Sequence, residues 1–309
     1  MAFTENDVPD QSGKTVLITG GNSGIGFEAA RVFAHHNADV LLACRNAERG
    51  HEAQARILAQ APHARVEVSV LDLASLASIR EFAGRTLATR ARLHALINNA
   101  GVMAIPRQLT HDGFELQLGV NHFGHFALTG LLLPLLLATD AARIVTVSSR
   151  ASSVGRIHFD DLHGARSYHK WVAYAQSKLA NLLFSFELAR RFEAKALAAR
   201  SIACHPGYAT TNLHMLGPQL TGSRAELWIM DSANRLFGQS ARGGALPTLF
   251  AATAPAAHNG EFIGPQGLFG RAGAPGTLRA TSAAYDAETL RKLWAISIEL
   301  TRVTYAELD

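Results

Sequence analysis

Cysteine is nearly absent: Cys44 and Cys204 are the only two in 309 residues. Both end short apolar runs far apart in sequence, so neither a disulfide framework nor a zinc spacing can be built from them. His122 and His125 stand three apart, but no third ligand follows at a metal-like spacing, which favours structural roles. Charge is sparse as well, at 17% of residues. The net charge of +4 and pI near 9.3 raise the question of nucleic acid. The basic residues are scattered, Arg190 and Arg191 being among the few adjacent pairs, and no RNA-binding aromatic signature accompanies them. A solvated basic surface is the reading, with no nucleic-acid partner. Long apolar runs are missing too. Leu128 to Leu137 is short, contains Pro134 and reads as a buried helix. Met1 to Gly13 is polar and lacks an h-region, so it is expected to be a flexible tail without a membrane anchor, on a soluble cytoplasmic protein. Hydrophobic residues make up 48% of the chain, a globular composition. With no internal repeat or linker, residues 14–309 are expected to form one domain.

Strands and helices alternate along that domain, the pattern of an α/β fold with a doubly wound parallel sheet. Thr15 to Thr19 is β-rich and enters Gly20-Gly-Asn22-Ser23-Gly24-Ile25-Gly26, after which a helical pattern runs from Phe27 to His35. A strand, a glycine-rich turn and a helix N-terminus together form an anion site, because glycine lets the backbone approach a pyrophosphate and the helix presents free N–H groups. The next strand, Asp39 to Cys44, ends at Arg45. An acid in that place bonds both ribose hydroxyls and a base accommodates a 2′-phosphate, so Arg45 favours NADP(H) over NAD(H). After the strand Arg65 to Leu71, Asp72 and Leu73 lie where an adenine edge could be met; Asp72 could equally be the N-terminal acid of the helix Ser75 to Leu87. Leu93 to Ile97 reads as the fourth strand and ends in Asn98-Asn99-Ala100-Gly101, small and amide residues suited to close cofactor approach. A single apolar helix is expected over Gly113 to Leu137, with a polar Asn121 in it. The fifth strand, Ala142 to Ser149, carries Val147 and ends in two hydroxyls, Ser148 and Ser149.

Lys170 to Glu193 has helical apolar spacing and contains Tyr174-Ala-Gln-Ser-Lys178. Tyr and Lys four apart share one face of a helix. A phenol of pKa about 10 is a poor base at neutral pH, and a neighbouring ammonium is expected to lower that value. Further on, Arg200 to Cys204 is a strand leading into His205-Pro206-Gly207. Residues 212–244 read as an apolar flap over the substrate. Gly243 to Ala252 and Ala287 to Leu300 read as helices, Glu261 to Ile263 as a last strand and Gly264 to Gly276 as a loop. About seven strands result.

These motifs resemble the short-chain dehydrogenase/reductase family. Thr19-Gly20-x-x-x-Gly24-Ile25-Gly26 is similar to its cofactor loop and Asn98-Asn99-Ala100-Gly101 to its sheet-stabilising motif. Asn121, Ser149, Tyr174 and Lys178 match its catalytic tetrad in order, and Pro206, Gly207 and Thr211 match the segment over the nicotinamide. Val120-Asn-His-Phe-Gly-His-Phe, Tyr174-Ala-Gln-Ser-Lys-Leu-Ala-Asn-Leu-Leu-Phe and Leu293-Trp-Ala-Ile-Ser resemble the retinol dehydrogenase-like branch, which includes WW-domain oxidoreductases. Ala43-Cys44-Arg45-Asn46 matches that branch's NADP-leaning strand end. The resemblance implies a carbonyl/alcohol oxidoreductase acting on a lipophilic small molecule, with Tyr174 as acid/base. It implies that Lys178 tunes the phenol and holds the ribose, Ser149 bonds the carbonyl oxygen, and Asn121 positions a relay water. By family pattern the catalytic hydroxyl is Ser149; from the residues alone Ser148 stays open. Reduction of a conjugated C=C bond and a non-catalytic NADP(H) sensor or scaffold are the alternatives. Family members often pair through their long helices, so a homo-oligomer is open.

Overall fold

The computed structural model describes residues 2–207, 240–267, 270 and 272–308. Eight strands form one sheet in the order β3-β2-β1-β4-β5-β6-β7-β8. The first seven are parallel: β1 (Thr15–Thr19), β2 (Asp39–Cys44), β3 (Arg65–Val70), β4 (Ala95–Asn98), β5 (Arg143–Val147), β6 (Arg200–Cys204) and β7 (Phe262–Pro265). Strand order reverses between β1 and β4, the crevice where doubly wound sheets bind ligands.

The eighth strand, β8 (Pro275–Leu278), runs antiparallel to β7 and begins inside the stretch expected to be a loop, Gly264 to Gly276. Its sequence, Pro-Gly-Thr-Leu, carries two residues that strands avoid. At an edge a proline costs little, because the side facing away from β7 needs no donor.

The helices are α1 (Gly24–His35), α2 (Ala47–Gln60), α3 (Leu76–Thr89), α4 (Leu116–Leu118), α5 (Gly124–Leu131), α6 (Leu133–Leu137), α7 (Lys170–Ala194), α8 (Ala241–Thr253) and α9 (Ala287–Thr301). Alternation along the central strands sorts the core into two layers. Val16, Ile18, Val40, Leu42, Val145 and Ile202 face α1, α2 and α8. Leu17, Leu41, Leu96 and Ile144 face α3, α5, α6 and α7. The N-cap of α3 is Ser75, which accepts from Ser78 N–H, and not Asp72. Residues 3–11, expected to be a tail, lie against the domain. Phe3 meets the Phe250 ring edge-on at 5.2 Å, Glu5 pairs with Arg31 at 2.7 Å, and Val8 is buried.

The expected single helix from Gly113 to Leu137 is broken into pieces. Between α4 and α5 the chain widens into a π-turn over Gly119–Phe123, where the Gly124 N–H bonds back to the Gly119 carbonyl. Such widened turns re-aim side chains and are frequent at functional sites. Asn121 lies inside this one. Periodicity of apolar residues cannot reveal the widening, since within the turn all but Val120 are buried anyway.

Candidate active site

At the end of β1, the backbone turns through Gly20 in the left-handed region (φ 67°) and enters α1. A methyl group on Gly26 would sit 2.4 Å from Asn99 Nδ2 and 2.5 Å from the Gly20 carbonyl oxygen. Only hydrogen fits where helix, turn and β4 end converge. Ser23 occupies the N-cap of α1 without a side-chain cap bond, and Asn22, Ser23, Gly24 and Ile25 are all at least partly exposed. Arg45 stands exposed directly after β2, beside Asn46, which caps α2. Asp72 accepts from Ala74 N–H at 2.9 Å, while the Leu73 side chain is buried in the core.

The loop after β4 is stitched to this turn. Asn99 Nδ2 donates to the Thr19 carbonyl at 2.8 Å, and the N–H groups of Asn99 and Ala100 both donate to Thr19 Oγ1, at 2.9 and 3.0 Å. Thr19 Oγ1 also lies 2.9 Å from His125 Nε2, and His125 Nδ1 lies 3.0 Å from the Asn121 carbonyl. A carbonyl only accepts, so the neutral imidazole carries its proton on Nδ1 and receives the Thr19 hydroxyl proton at Nε2. His125 thus ties the β1 end to the π-turn. Asn98 faces the other way, donating to Thr129 at 3.0 Å.

Asn121 grips Val102 at both of its backbone groups, accepting from its N–H at 2.8 Å and donating to its carbonyl at 3.0 Å. It also donates to Ser177 Oγ at 2.9 Å, and Ser177 in turn donates to the Tyr174 carbonyl. Ser177 was not singled out from sequence; its place three residues after Tyr174, where a serine back-bonds its own helix, was the available signal. Lys178 Nζ donates to the Val147 carbonyl at 3.1 Å and lies 5.9 Å from the Tyr174 ring centroid. Gly101 faces both Asn121 and Lys178: a methyl on it would lie 3.0 Å from Asn121 Oδ1 and 3.5 Å from Nζ.

The two serines separate cleanly. Ser148 Oγ is buried and donates to the Lys178 carbonyl at 2.7 Å. Ser149 is partly exposed, accepts from Ala151 N–H, and lies beside the Tyr174 phenol, where its hydroxyl favours the ionised form. Gly207 turns at φ 72°, with its N–H donating to His205 Nδ1 at 3.0 Å, and Pro206 precedes it. Thr211 and all but the last residues of the expected flap lie outside the described residues.

Burial dominates the electrostatics. It pushes the Tyr174 phenol up to about 12, opposed by the neighbouring Ser149 hydroxyl, and brings Lys178 down to about 8. The protein by itself therefore does not lower the phenol as the Tyr–Lys spacing led us to expect. Removing both groups from water penalises phenolate and ammonium alike, and this outweighs their mutual attraction. Cys204, also buried, is held as a neutral thiol by a pKa near 12. Among the described residues no helix is long and apolar enough to cross a membrane.

Comparison with known proteins agrees with this geometry. The short chain dehydrogenase family model matches residues 14–218. Mouse retinol dehydrogenase 12 is 48% identical over 201 residues, covering 65% of this chain and 63% of that protein, so this match spans under two thirds of the relative. Human retinol dehydrogenase 13 is 40% identical, covering 93% of this chain and 84% of that one. A solved Mycobacterium paratuberculosis protein superposes with a TM-score of 0.82 at 41% identity, covering 99% of both chains. A Shigella flexneri short chain dehydrogenase solved with NADP shares the fold, with a TM-score of 0.64 at 23% identity over 83% of this chain and 98% of that one. The chain belongs to the short chain dehydrogenase family.

Proposed function

We propose that the protein is an NADP(H)-dependent oxidoreductase that interconverts a lipophilic aldehyde or ketone with its alcohol. The observation that carries this reading is the Tyr174 phenol beside Ser149, with Lys178 Nζ 5.9 Å from its ring centroid. Relatives named for retinol and polyprenol, both isoprenoid alcohols, support the substrate class; the mouse polyprenol dehydrogenase is 40% identical over 95% of this chain and 85% of that one.

The residues fit a dinucleotide. The close approach at Gly26, the uncapped start of α1 and the exposed Arg45 supply a backbone cradle, an anion-binding helix end and a cation for a 2′-phosphate. Gly20, Asn22, Ser23, Gly24, Ile25 and Gly26 would hold the pyrophosphate end. Arg45, Asp72 and Leu73 would hold the adenosine side, and Asn99, Ala100, Gly101, Val147, Tyr174, Lys178, Pro206, Gly207 and Thr211 the nicotinamide side. When bound, the nicotinamide supplies hydride exchange with the substrate carbon.

The chain's own residues handle the proton. In reduction, Tyr174 donates its phenolic proton to the oxygen as negative charge develops there, and in oxidation it takes that proton back. Ser149 donates a hydrogen bond to the same oxygen. Lys178, brought close to neutral pH by burial, exchanges a proton readily, and Asn121 holds the Val102 turn beside it.

NADPH oxidation with a panel of long-chain aldehydes, retinal and cyclic ketones tests the reading, and no turnover across the panel would reject it. Arg45→Asp is expected to shift the NADPH:NADH ratio of kcat/KM toward NADH by roughly 10- to 100-fold, the worth of one charge-assisted hydrogen bond. Unchanged preference would remove Arg45 from the phosphate site.

A further inference from the structure

The Tyr174 ring packs in a small buried cluster with Met103 and Ala104, flanked by Ala151. One wall of that cluster is a turn of the chain, residues 102–105, whose conformation is unusual. Ala104 has φ 50°, a left-handed geometry that is unfavourable for an alanine and persists only when neighbours impose it. Asn121 imposes it at Val102. A second set of partners acts at the other end.

Gln117, fully buried on α4, accepts from the Ala104 N–H at 2.7 Å through Oε1. Its Nε2 donates to the Tyr168 hydroxyl at 2.8 Å and to the Lys170 carbonyl at 3.0 Å. The orientation of this amide is therefore determined, since Ala104 offers only a donor and Lys170 only an acceptor. The bond to Ala104 is fully buried, and the bonds to Tyr168 and Lys170 are partly so.

Tyr168 continues the chain of contacts. Its hydroxyl oxygen lies 2.9 Å from the Ile105 carbonyl and 3.1 Å from Glu115 Oε1, either of which can take its single proton. Glu115 is buried, and burial raises its pKa. Its carboxylate also accepts from the backbone N–H groups of Gln117 at 3.0 Å and Leu118 at 2.8 Å, which starts α4 and so sets where Gln117 stands. The Tyr168 ring approaches from just before the first turn of α7, the helix that carries Tyr174.

We propose that Gln117, supported by Tyr168 and Glu115, is a positioning residue: it holds the Met103–Ala104 wall against the Tyr174 ring and thereby sets where the phenol meets Ser149. The bonds running from α4 to the turn and to the entry of α7 make one clamp around the ring. None of the three side chains touches the Tyr174 hydroxyl. Their effect on turnover rests on the carbonyl-reductase reading above, while their effect on the turn does not.

Two variants test this. Tyr168→Phe keeps the ring and deletes the hydroxyl, freeing one Nε2 proton of Gln117 and the Ile105 carbonyl. Gln117→Met fills nearly the same volume without either polar group. In both, kcat for retinal or a long-chain aldehyde with NADPH is expected to fall at least tenfold. The KM for NADPH should stay within twofold, since the nucleotide cradle lies on other residues. Hydrogen exchange at the Ala104 amide should accelerate at least tenfold in each variant, a readout that does not require turnover. If the wild type turns over no carbonyl, the functional reading fails and the exchange rates alone decide the clamp. Unaltered exchange at Ala104 in Tyr168→Phe would overturn the proposal. So would unaltered kcat in an active enzyme, even with a lowered melting temperature, because the network would then serve stability only.

Discussion

Tyr174→Phe is expected to lower turnover by about 10²- to 10⁴-fold while leaving fold and nucleotide binding intact. The ring stays packed against Met103 and Ala104, and only the hydroxyl beside Ser149 is lost. Nothing in the core depends on that hydroxyl, so the unfolding midpoint should move little. On the proposed mechanism the loss should appear in kcat, because the hydroxyl would act on charge that exists only as the reaction proceeds. Steady-state assays alongside NADPH titration check both halves. Near-normal turnover would assign the acid/base role elsewhere. A loss of nucleotide binding equal to the loss of turnover would make Tyr174 a nucleotide-binding group alone, without the acid/base role.

The second large effect is acid destabilisation through the two histidines of the π-turn region. His122 and His125 are fully buried, and burial brings them down to about 3 and about 4. His122 lies among the rings of Phe123, Phe126 and Phe184, with Nε2 at 2.8 Å from Ser297 Oγ. Ser297 donates its own proton to the Leu293 carbonyl, so it accepts from His122, and the bare Nδ1 has no partner. His125 needs its bare Nε2 for the Thr19 hydroxyl. Both rings are held neutral in the folded chain.

Below pH 6.5 the unfolded chain takes up protons at these rings that the folded chain refuses. Their contribution is complete above pH 6.5 and is lost as the pH falls toward 4 and 3. Well below pH 6.5 each ring costs about 1.4 kcal/mol per pH unit, so the pair removes roughly 3 kcal/mol between pH 6.5 and 5. That is a large share of a typical domain's stability of about 5–15 kcal/mol. His205, also lowered by burial to about 4, adds in the same direction. Urea unfolding at pH 7, 6 and 5 should show the decline, and His122→Leu should flatten it, since Ser297 keeps its bond to Leu293. A pH-independent unfolding free energy over that range would disprove the account.

Much of the site could be read from local pattern because its parts are local devices. Strand, glycine turn and helix follow one another between Thr15 and His35, and the structure keeps that order. Tyr174 and Lys178 share a helix face by spacing alone. The π-turn escaped notice because a widened turn changes one backbone bond while leaving the apolar pattern unaltered. The strand Pro275–Leu278 escaped because its pairing with β7, and not its own propensity, makes it a strand. Gln117, Tyr168 and Glu115 look in sequence like ordinary polar residues around a helix start. Their meaning arises only when Ala104 and Lys170 arrive on either side.

The chain's own order of residues determined the α/β alternation, the nucleotide-type turn, Arg45 after β2 and the Tyr–Lys pair, since each depends on neighbours within a few positions. Folding decided which serine meets the phenol. Ser148 and Ser149 follow β5 directly, Ser149 with extended backbone, where successive side chains point to opposite sides, so only the seating of α7 could turn one toward Lys178's backbone and the other toward Tyr174. Folding also decided the proton affinities of Tyr174 and Lys178, because those depend on how much water the surrounding elements exclude, and exclusion is a property of no single segment.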